Sequence, residues 1–382
     1  LVDFLNYNEA RELAKAKLPR GIFEFIDRGT GDEFSLRHNR RQFEAARILP
    51  RVLTGGSPRS QKVEIFGETY SAPLLAAPTA FAGLVWFKGE IELARAAAAY
   101  GIPFCAATEA ITGVGEIATA VGTPIWFQLY LWDREELSQN LIEKAWTNGA
   151  RTLVVTVDTP VLPKREYNVR NGFDIPFRFS PRNVFDVATH PRWAVGVLGR
   201  YLAAGGLPNF ANYPPEYRAN ILSRGSARSM SLAPDLDWDC VRRIRTNWKG
   251  NLVIKGILRA DDALLALQIG ADGIIVSNHG GRNLDGAVAP IEVLPNIADA
   301  VGDRLTVLAD SGVQRGSDIF KLLANGAKAV LLGRSLLYGT AIAGSAGALR
   351  MMRNLGEELD VAMAMSGCRS LKEIDRSLLV KA

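Results

Sequence analysis

The chain has 382 residues, 48% of them hydrophobic, and a formal net charge of +5, enough apolar material for one large core or two average ones. Its three cysteines, Cys105, Cys240 and Cys368, are widely spaced and odd in number, which argues against a disulfide framework and against a zinc site, and no metal is expected. The chain opens on Leu1, with no signal-peptide pattern and no run of eighteen apolar residues, so the expectation is a cytoplasmic protein.

Residues 1–70 read as an N-terminal helical segment, with a helical pattern over 8–17, a Leu18-Pro19 stop and a second helix over 22–28. From residue 71, short apolar runs alternate with helical stretches. Strands are predicted at 74–77, 104–107, 125–129, 152–157, 252–254, 273–276, 305–308 and 329–332. Helices are predicted between them at 91–100, 135–149, 260–270 and 318–326. Eight βα units predict an α/β protein with a closed (β/α)8 TIM barrel over 71–176 and 237–345. A doubly wound sheet is the alternative. No G-x-G-x-x-G follows the first strand, which counts against it.

Residues 177–236 interrupt the pattern after the fourth strand and read as an insertion. Between Phe177 and Met230 lie seven arginines (Arg178, Arg182, Arg192, Arg200, Arg218, Arg224, Arg228) against only Asp186 and Glu216. The basic excess is therefore local, and no nucleic-acid partner is expected. Residues 346–382 read as a C-terminal helical segment, so 1–382 is expected to be a single domain.

The most informative stretch is Ser277-Asn278-His279-Gly280-Gly281-Arg282, entered directly from the apolar run 273–276. A buried strand thus ends on a Gly-rich turn carrying a base that titrates near neutrality and a cation suited to carboxylates. In a barrel, catalytic groups come from such strand ends. Asp158, after the fourth strand, is placed to orient His279; a helix cap is its alternative. Lys255, alone after a buried strand, is either paired or stabilises an anionic reduced cofactor. Asp310-Ser311-Gly312 with Arg315, and Gly333-Arg334, form the glycine-plus-arginine ends that bind phosphate in this fold. Helix capping is the alternative for both arginines. A flavin-free aldolase or isomerase using Lys255 as a Schiff base, and a non-catalytic membrane-associated scaffold, stay open on these residues.

Leu18-Pro19, Gly31-Asp32-Glu33, Ala77-Pro78-Thr79-Ala80, Phe127-Gln128-Leu129-Tyr130, Thr156-Val157-Asp158-Thr159-Pro160, Lys255-Gly256, the His279 motif, Arg315-Gly316, Gly333-Arg334 and Ser366-Gly367-Cys368 cover nearly the whole chain. Together they resemble the FMN-dependent L-2-hydroxy acid oxidase and dehydrogenase family, with mandelate dehydrogenase as the nearest likeness. The resemblance implies non-covalent FMN and oxidation of an (S)-2-hydroxy acid, mandelate-like first and lactate second. Quinone is the implied electron acceptor, with a soluble oxidase using O2 as the alternative. His279 is the implied base, working with Asp158. Arg282 and Tyr130 would hold the substrate carboxylate, with Arg165 close by. Pro78, Thr79, Ala80, Thr108, Gln128, Thr156, Lys255, Ser277, Asp310, Gly312, Arg315, Gly333 and Arg334 would hold FMN. A homotetramer is implied.

The chain departs from the pattern in three places. Phe25 stands where many members have Tyr. Glu109 occupies a position that helps set substrate size, and is either a pocket acceptor or a solvated loop charge. Gln314-Arg315 replaces two consecutive arginines, placing more of the phosphate work on Arg315 and Arg334. Within the insertion, 190–213 resembles the loop that attaches mandelate dehydrogenase to membranes. Trp193, Tyr201 and flanking arginines suit a peripheral segment on the inner face of the cell membrane; an active-site lid or a subunit contact is the alternative.

Overall fold

Eight parallel strands form the centre of the computed structural model, which describes residues 3–55, 57–173, 180–218 and 231–380. They are β1 (Leu74–Ala76), β2 (Cys105–Ala107), β3 (Trp126–Leu129), β4 (Thr152–Thr156), β5 (Asn251–Ile257), β6 (Gly273–Val276), β7 (Thr306–Ala309) and β8 (Ala329–Leu332). Each pairs with its sequence neighbour, and β8 returns to β1. Only β1 and β2 lack a continuous ladder. They meet at an Ala76–Phe104 bridge, where the Ala76 N–H donates to the Pro103 carbonyl at 2.9 Å and closes the barrel.

Burial on both faces explains why these strands read as unbroken apolar runs rather than alternating ones. One set of side chains, including Leu75, Val154, Val253, Ile275 and Leu308, fills the barrel interior. The other, including Leu74, Phe127, Val155, Ile254 and Val307, packs outward in the core shared with the helices. A hairpin of Val63–Ile65 and Glu68–Tyr70, absent from the sequence expectations, plugs the N-terminal end of the barrel. Its Val63 and Ile65 join the interior cluster.

Several predicted bounds shift by a residue or two for one reason. The helices end at Thr147, Gln268 and Ala324. Gly149, Gly270 and Gly326 lie just beyond, at φ 88°, 79° and 103°, where a chain leaves a helix in the left-handed region. β5 runs longer than expected and carries an irregularity between Lys255 and Ile257. Gly256 makes that possible: at φ 109°, an added Cβ would lie 2.5 Å from the Asp158 Cβ.

Before the barrel come α1 (Tyr7–Lys17), α2 (Arg20–Asp27) and α3 (Phe34–Ala45). They reach the site end of the barrel: the Thr30 N–H donates to the Gly281 carbonyl at 3.0 Å, and Asn39 and Asn278 exchange amide hydrogen bonds at 3.0 and 2.7 Å. After β8 a helix over Arg334–Met365 is broken at Ala343 and Gly344.

The described part of the insertion is helical, over Pro181–Ala188 and then from Pro191 through a wider turn at Ala194–Gly199 to Ala203. Here one expectation is corrected. Trp193 and Tyr201 face the protein, not the outside. The Trp193 indole N–H donates to the Leu84 carbonyl at 2.7 Å, and the Tyr201 hydroxyl accepts from the Lys88 N–H at 3.0 Å. The exposed apolar side chains of these helices are Val184, Phe185, Val195 and Leu202. Arg178, Arg224 and Arg228 lie outside the described residues.

Candidate active site

The turn after β6 is held in a conformation that side chains rarely adopt. His279 has φ 58°, and Gly280 and Gly281 follow at 67° and 71°. A non-glycine residue in this region is strained, and such strain persists only where surrounding contacts over-determine it. The contacts are present: the His279 N–H donates to the Ser277 hydroxyl at 3.0 Å, and the Gly280 N–H donates to the Ser311 hydroxyl at 3.0 Å. A Cβ on Gly281 would come within 2.6 Å of the Leu36 main chain, so only glycine lets α3 pack on the turn.

The result is a fixed imidazole. His279 Nδ1 lies 3.0 and 3.1 Å from the two oxygens of Asp158. Nε2 points toward the cavity, 3.4 Å from the Tyr130 hydroxyl. Burial resists charge on both partners. On Asp158 the His279 and Lys255 charges overcome it and hold the carboxyl at about 2. On His279 burial wins over the Asp158 attraction, and Lys255 and Arg165 add repulsion, so the imidazole lies below its ordinary value. An ionised Asp158 beside a neutral His279 leaves Nε2 free to accept a proton.

Three guanidiniums gather at the same end. Arg282 Nη1 donates to the Phe25 and Arg28 carbonyls at 2.6 and 2.9 Å, and its guanidinium lies 5.0 Å from the Phe25 ring centre. Arg334 Nε donates to the Ile26 carbonyl at 3.0 Å, and Arg165 donates to the Arg282 carbonyl at 3.3 Å. Burial first, then the Arg165 and Arg334 charges, push Arg282 down to about 9. A desolvated guanidinium among like charges favours an anionic ligand.

At the floor, Lys255 is buried, donating to the Ser277 hydroxyl at 2.9 Å, with Asp310 at 3.4 Å. Burial opposes its charge, yet Asp310 and Asp158 outweigh it and raise the ammonium above its ordinary value. A Schiff-base lysine needs the opposite shift, so this observation counts against the aldolase alternative. Beside it the Gln128 carboxamide is oriented at both ends. Its nitrogen donates to the Thr156 hydroxyl at 3.0 Å, and its oxygen accepts from the Thr108 N–H at 3.2 Å.

Most of the residues named from the sequence meet in one cavity. Phe25, Glu109, Tyr130, Arg165, His279 and Arg282 line one part of it. Pro78, Thr79, Ala80, Gln128, Thr156 and Lys255 line another, and Asp310, Gly312, Gly333 and Arg334 complete it. Thr108, Asp158 and Ser277 stand behind this wall, positioning Gln128, His279 and Lys255. Arg315 does not reach it. Its guanidinium pairs with Glu358 at 2.7 Å, and the Gly316 N–H donates to the same carboxylate. Arg315, expected from the sequence as a phosphate ligand, is thus held by Glu358 outside the residues that line the cavity. Arg40 of α3 lines the cavity instead, beside Gln314, with its guanidinium on the Gly312 carbonyl at 2.9 Å and on Asp318 at 2.6 Å. Nothing in the sequence separates Arg40 from Arg37 and Arg41 on the same helix. Its place follows from α3 docking on the β7 loop.

A carboxamide, a hydroxyl and an ammonium at the floor, and two guanidiniums with a helix N-terminus at Gly333–Arg334, match the two ends of a flavin mononucleotide. The FMN-dependent dehydrogenase family matches residues 14–381. The chain is 39% identical over 373 residues to L-lactate dehydrogenase of Pseudomonas paraeruginosa strain DSM 24068 / PA7, covering 97% of each. It is 40% identical over 374 residues to L-lactate dehydrogenase of Pseudomonas putida strain F1, again covering 97% of each. Among solved structures it is similar to the monotopic membrane protein (S)-mandelate dehydrogenase, with TM-score 0.92, 36% identity and full coverage of both chains. A mandelate oxidase structure with (S)-mandelic acid matches with TM-score 0.83 and 33% identity, over 99% of this chain and 98% of that one.

Proposed function

The chain belongs to the FMN-dependent dehydrogenase family, and from that premise we propose that it oxidises an (S)-2-hydroxy acid to the 2-oxo acid and passes the electrons to a membrane quinone. The observation that carries this reading is His279 Nε2, facing the cavity with Asp158 on Nδ1 at 3.0 Å and with Arg165 and Arg282 lining the same cavity. Arg282, Arg165 and the Tyr130 hydroxyl bind the substrate carboxylate. His279 takes a proton from the substrate, and Asp158 stabilises the imidazolium that forms.

Bound FMN supplies the two-electron acceptor for this oxidation. Gln128, Thr156 and Lys255 hold its ring system, with Lys255 placing a positive charge where negative charge collects. Arg334, Arg40 and the main chain at Gly312 and Gly333 hold its phosphate. Thr108 and Ser277 support Gln128 and Lys255 from behind.

The wall beside Arg282 favours an aryl side chain over the methyl of lactate. Phe25 lines the cavity, Phe81 meets it edge to face with ring centres 5.0 Å apart, and Phe210 lies tilted against Phe81 at 5.1 Å. Quinone is supported by the exposed apolar side chains of the insertion and by the likeness to a monotopic membrane protein. No helix among the described residues is long and apolar enough to cross a membrane. The likeness to mandelate oxidase favours a second reading, with O2 as acceptor and hydrogen peroxide as product. Anaerobic bleaching by (S)-mandelate and (S)-lactate tests the reaction. Reoxidation rates with a soluble quinone and with O2 separate the acceptors.

A further inference from the structure

Glu109, just past β2, is the acidic side chain of the cavity wall on the substrate side, and its environment does not suit a plain apolar substrate. Its carboxylate accepts one hydrogen bond, from the Tyr213 hydroxyl at 3.4 Å, and has no other hydrogen-bond partner and no ion pair among the described residues. Burial pushes it up from the ordinary carboxylate range, against the pull of Arg165 and the Tyr213 hydrogen bond. Glu109 is half-buried on the cavity wall, and a carboxylate with so few partners there favours a ligand that donates to it.

A chain of aromatic contacts runs from the cavity wall at Phe25 to this carboxylate. From Phe25 it passes through Phe81 and Phe210 to Tyr213, whose ring stacks on Phe210 with centres 4.8 Å apart. Arg282 sits over Phe25 at the near end, and Tyr213 reaches Glu109 at the far end. We propose that the substrate side chain is an aromatic ring bearing a hydroxyl, with Glu109 accepting the hydroxyl hydrogen while Arg282 and Arg165 hold the carboxylate.

The charges in the cavity narrow the donor to a neutral one. A second carboxylate would face Glu109, and an ammonium would meet the Arg165 charge that already acts on Glu109. A hydroxyl satisfies Glu109 without either repulsion. An unsubstituted ring leaves Glu109 against a C–H edge, and lactate does not reach it.

This inference rests on the 2-hydroxy acid reading above, and one experiment distinguishes the two. The FMN-loaded enzyme is mixed anaerobically with (S)-mandelate, its 3- and 4-hydroxy derivatives and the 4-methoxy derivative, which has the size but no donor. The matching 2-oxo acids are titrated by the flavin absorbance change, a binding readout independent of turnover. The expected result is a preference for a hydroxylated ring of roughly tenfold to a hundredfold in kcat/KM and in 2-oxo acid affinity, the range for hydrogen bonds to charged groups. Glu109→Leu should abolish that preference, read as the ratio of hydroxylated to unsubstituted substrate in kcat/KM and in 2-oxo acid affinity, with FMN still bound, and Glu109→Gln should keep part of it. A hydroxyl preference that survives Glu109→Leu within about twofold, or a parent that prefers the unsubstituted ring, overturns this inference alone. If no 2-hydroxy acid bleaches the flavin, the reading it rests on falls and takes it along.

Discussion

Arg282 and Arg334 are held by the same helix end: Arg282 donates to the Phe25 carbonyl at 2.6 Å and Arg334 to the Ile26 carbonyl at 3.0 Å, both in the last turn of α2. Carbonyls at a helix C-terminus carry partial negative charge, which lets two half-buried guanidiniums sit close together. Arg282→Lys should therefore fail on two counts. An ammonium lacks the fork that grips main chain and ligand together, and cannot lie over Phe25 in the same way. We expect kcat/KM to fall at least about tenfold, with KM raised and FMN retained. A lysine variant matching the parent would place the carboxylate clamp elsewhere.

Asp158→Asn should separate positioning from charge. His279 already lies below its ordinary value through burial, and Asp158 is the group pulling it up. The base works unprotonated, so kcat/KM should rise with pH through an acid limb below the usual imidazole range. Without the Asp158 charge that limb should move to still lower pH, while the plateau falls by about 10²–10⁴ because the imidazolium is no longer stabilised. The pH profile of anaerobic flavin reduction checks this. A limb that moves up, or a plateau that is unchanged, contradicts it.

The phosphate end gives a prediction of opposite sign. Gln314 lines the cavity and Arg315 does not, its charge being taken by Glu358. Gln314→Arg should tighten FMN, lowering its Kd by about tenfold, whereas Arg315→Gln should leave Kd within about twofold. Fluorescence titration of the apoprotein with FMN measures both. A larger loss from Arg315→Gln than gain from Gln314→Arg would restore the reading made from sequence.

Membrane association is testable on two exposed side chains. Val195 and Leu202 are 73% and 57% exposed, so Val195→Gln with Leu202→Gln should alter stability by no more than about 0.5 kcal/mol. Cutting out residues 193–207 is a worse test, because Trp193 and Val197 belong to the core. The parent should sediment with anionic vesicles at low salt and retain a fraction as salt rises. The double variant should lose that residual fraction. Equal retention by both would make this surface a lid or subunit contact.

The barrel was legible because buried parallel strands leave long apolar runs, and eight of them fit one closure. The His279 turn was legible because a strand running into Asn-His-Gly-Gly-Arg concentrates chemistry in a few residues. Direction was the part not legible. Ser277 and Thr108, expected from the sequence as cofactor contacts, turn their hydroxyls toward Lys255 and the Gln128–Tyr130 main chain. Arg315 pairs with Glu358 while Arg40 lines the cavity, because which guanidinium reaches it depends on Glu358 and on α3, both far away in sequence. Trp193 and Tyr201 had the composition of an interfacial belt, yet a helix has two faces and these residues lie on the inner one.

The central claim is that His279 is the base for oxidation of a 2-hydroxy acid, and His279→Gln tests it most directly. Glutamine preserves approximate size and hydrogen bonding, and no proposed FMN contact is removed. Anaerobic stopped-flow reduction should show the visible flavin spectrum of the parent and a reductive rate lower by at least about 10²–10⁴-fold with (S)-mandelate. A variant that bleaches at nearly the parental rate would contradict the account.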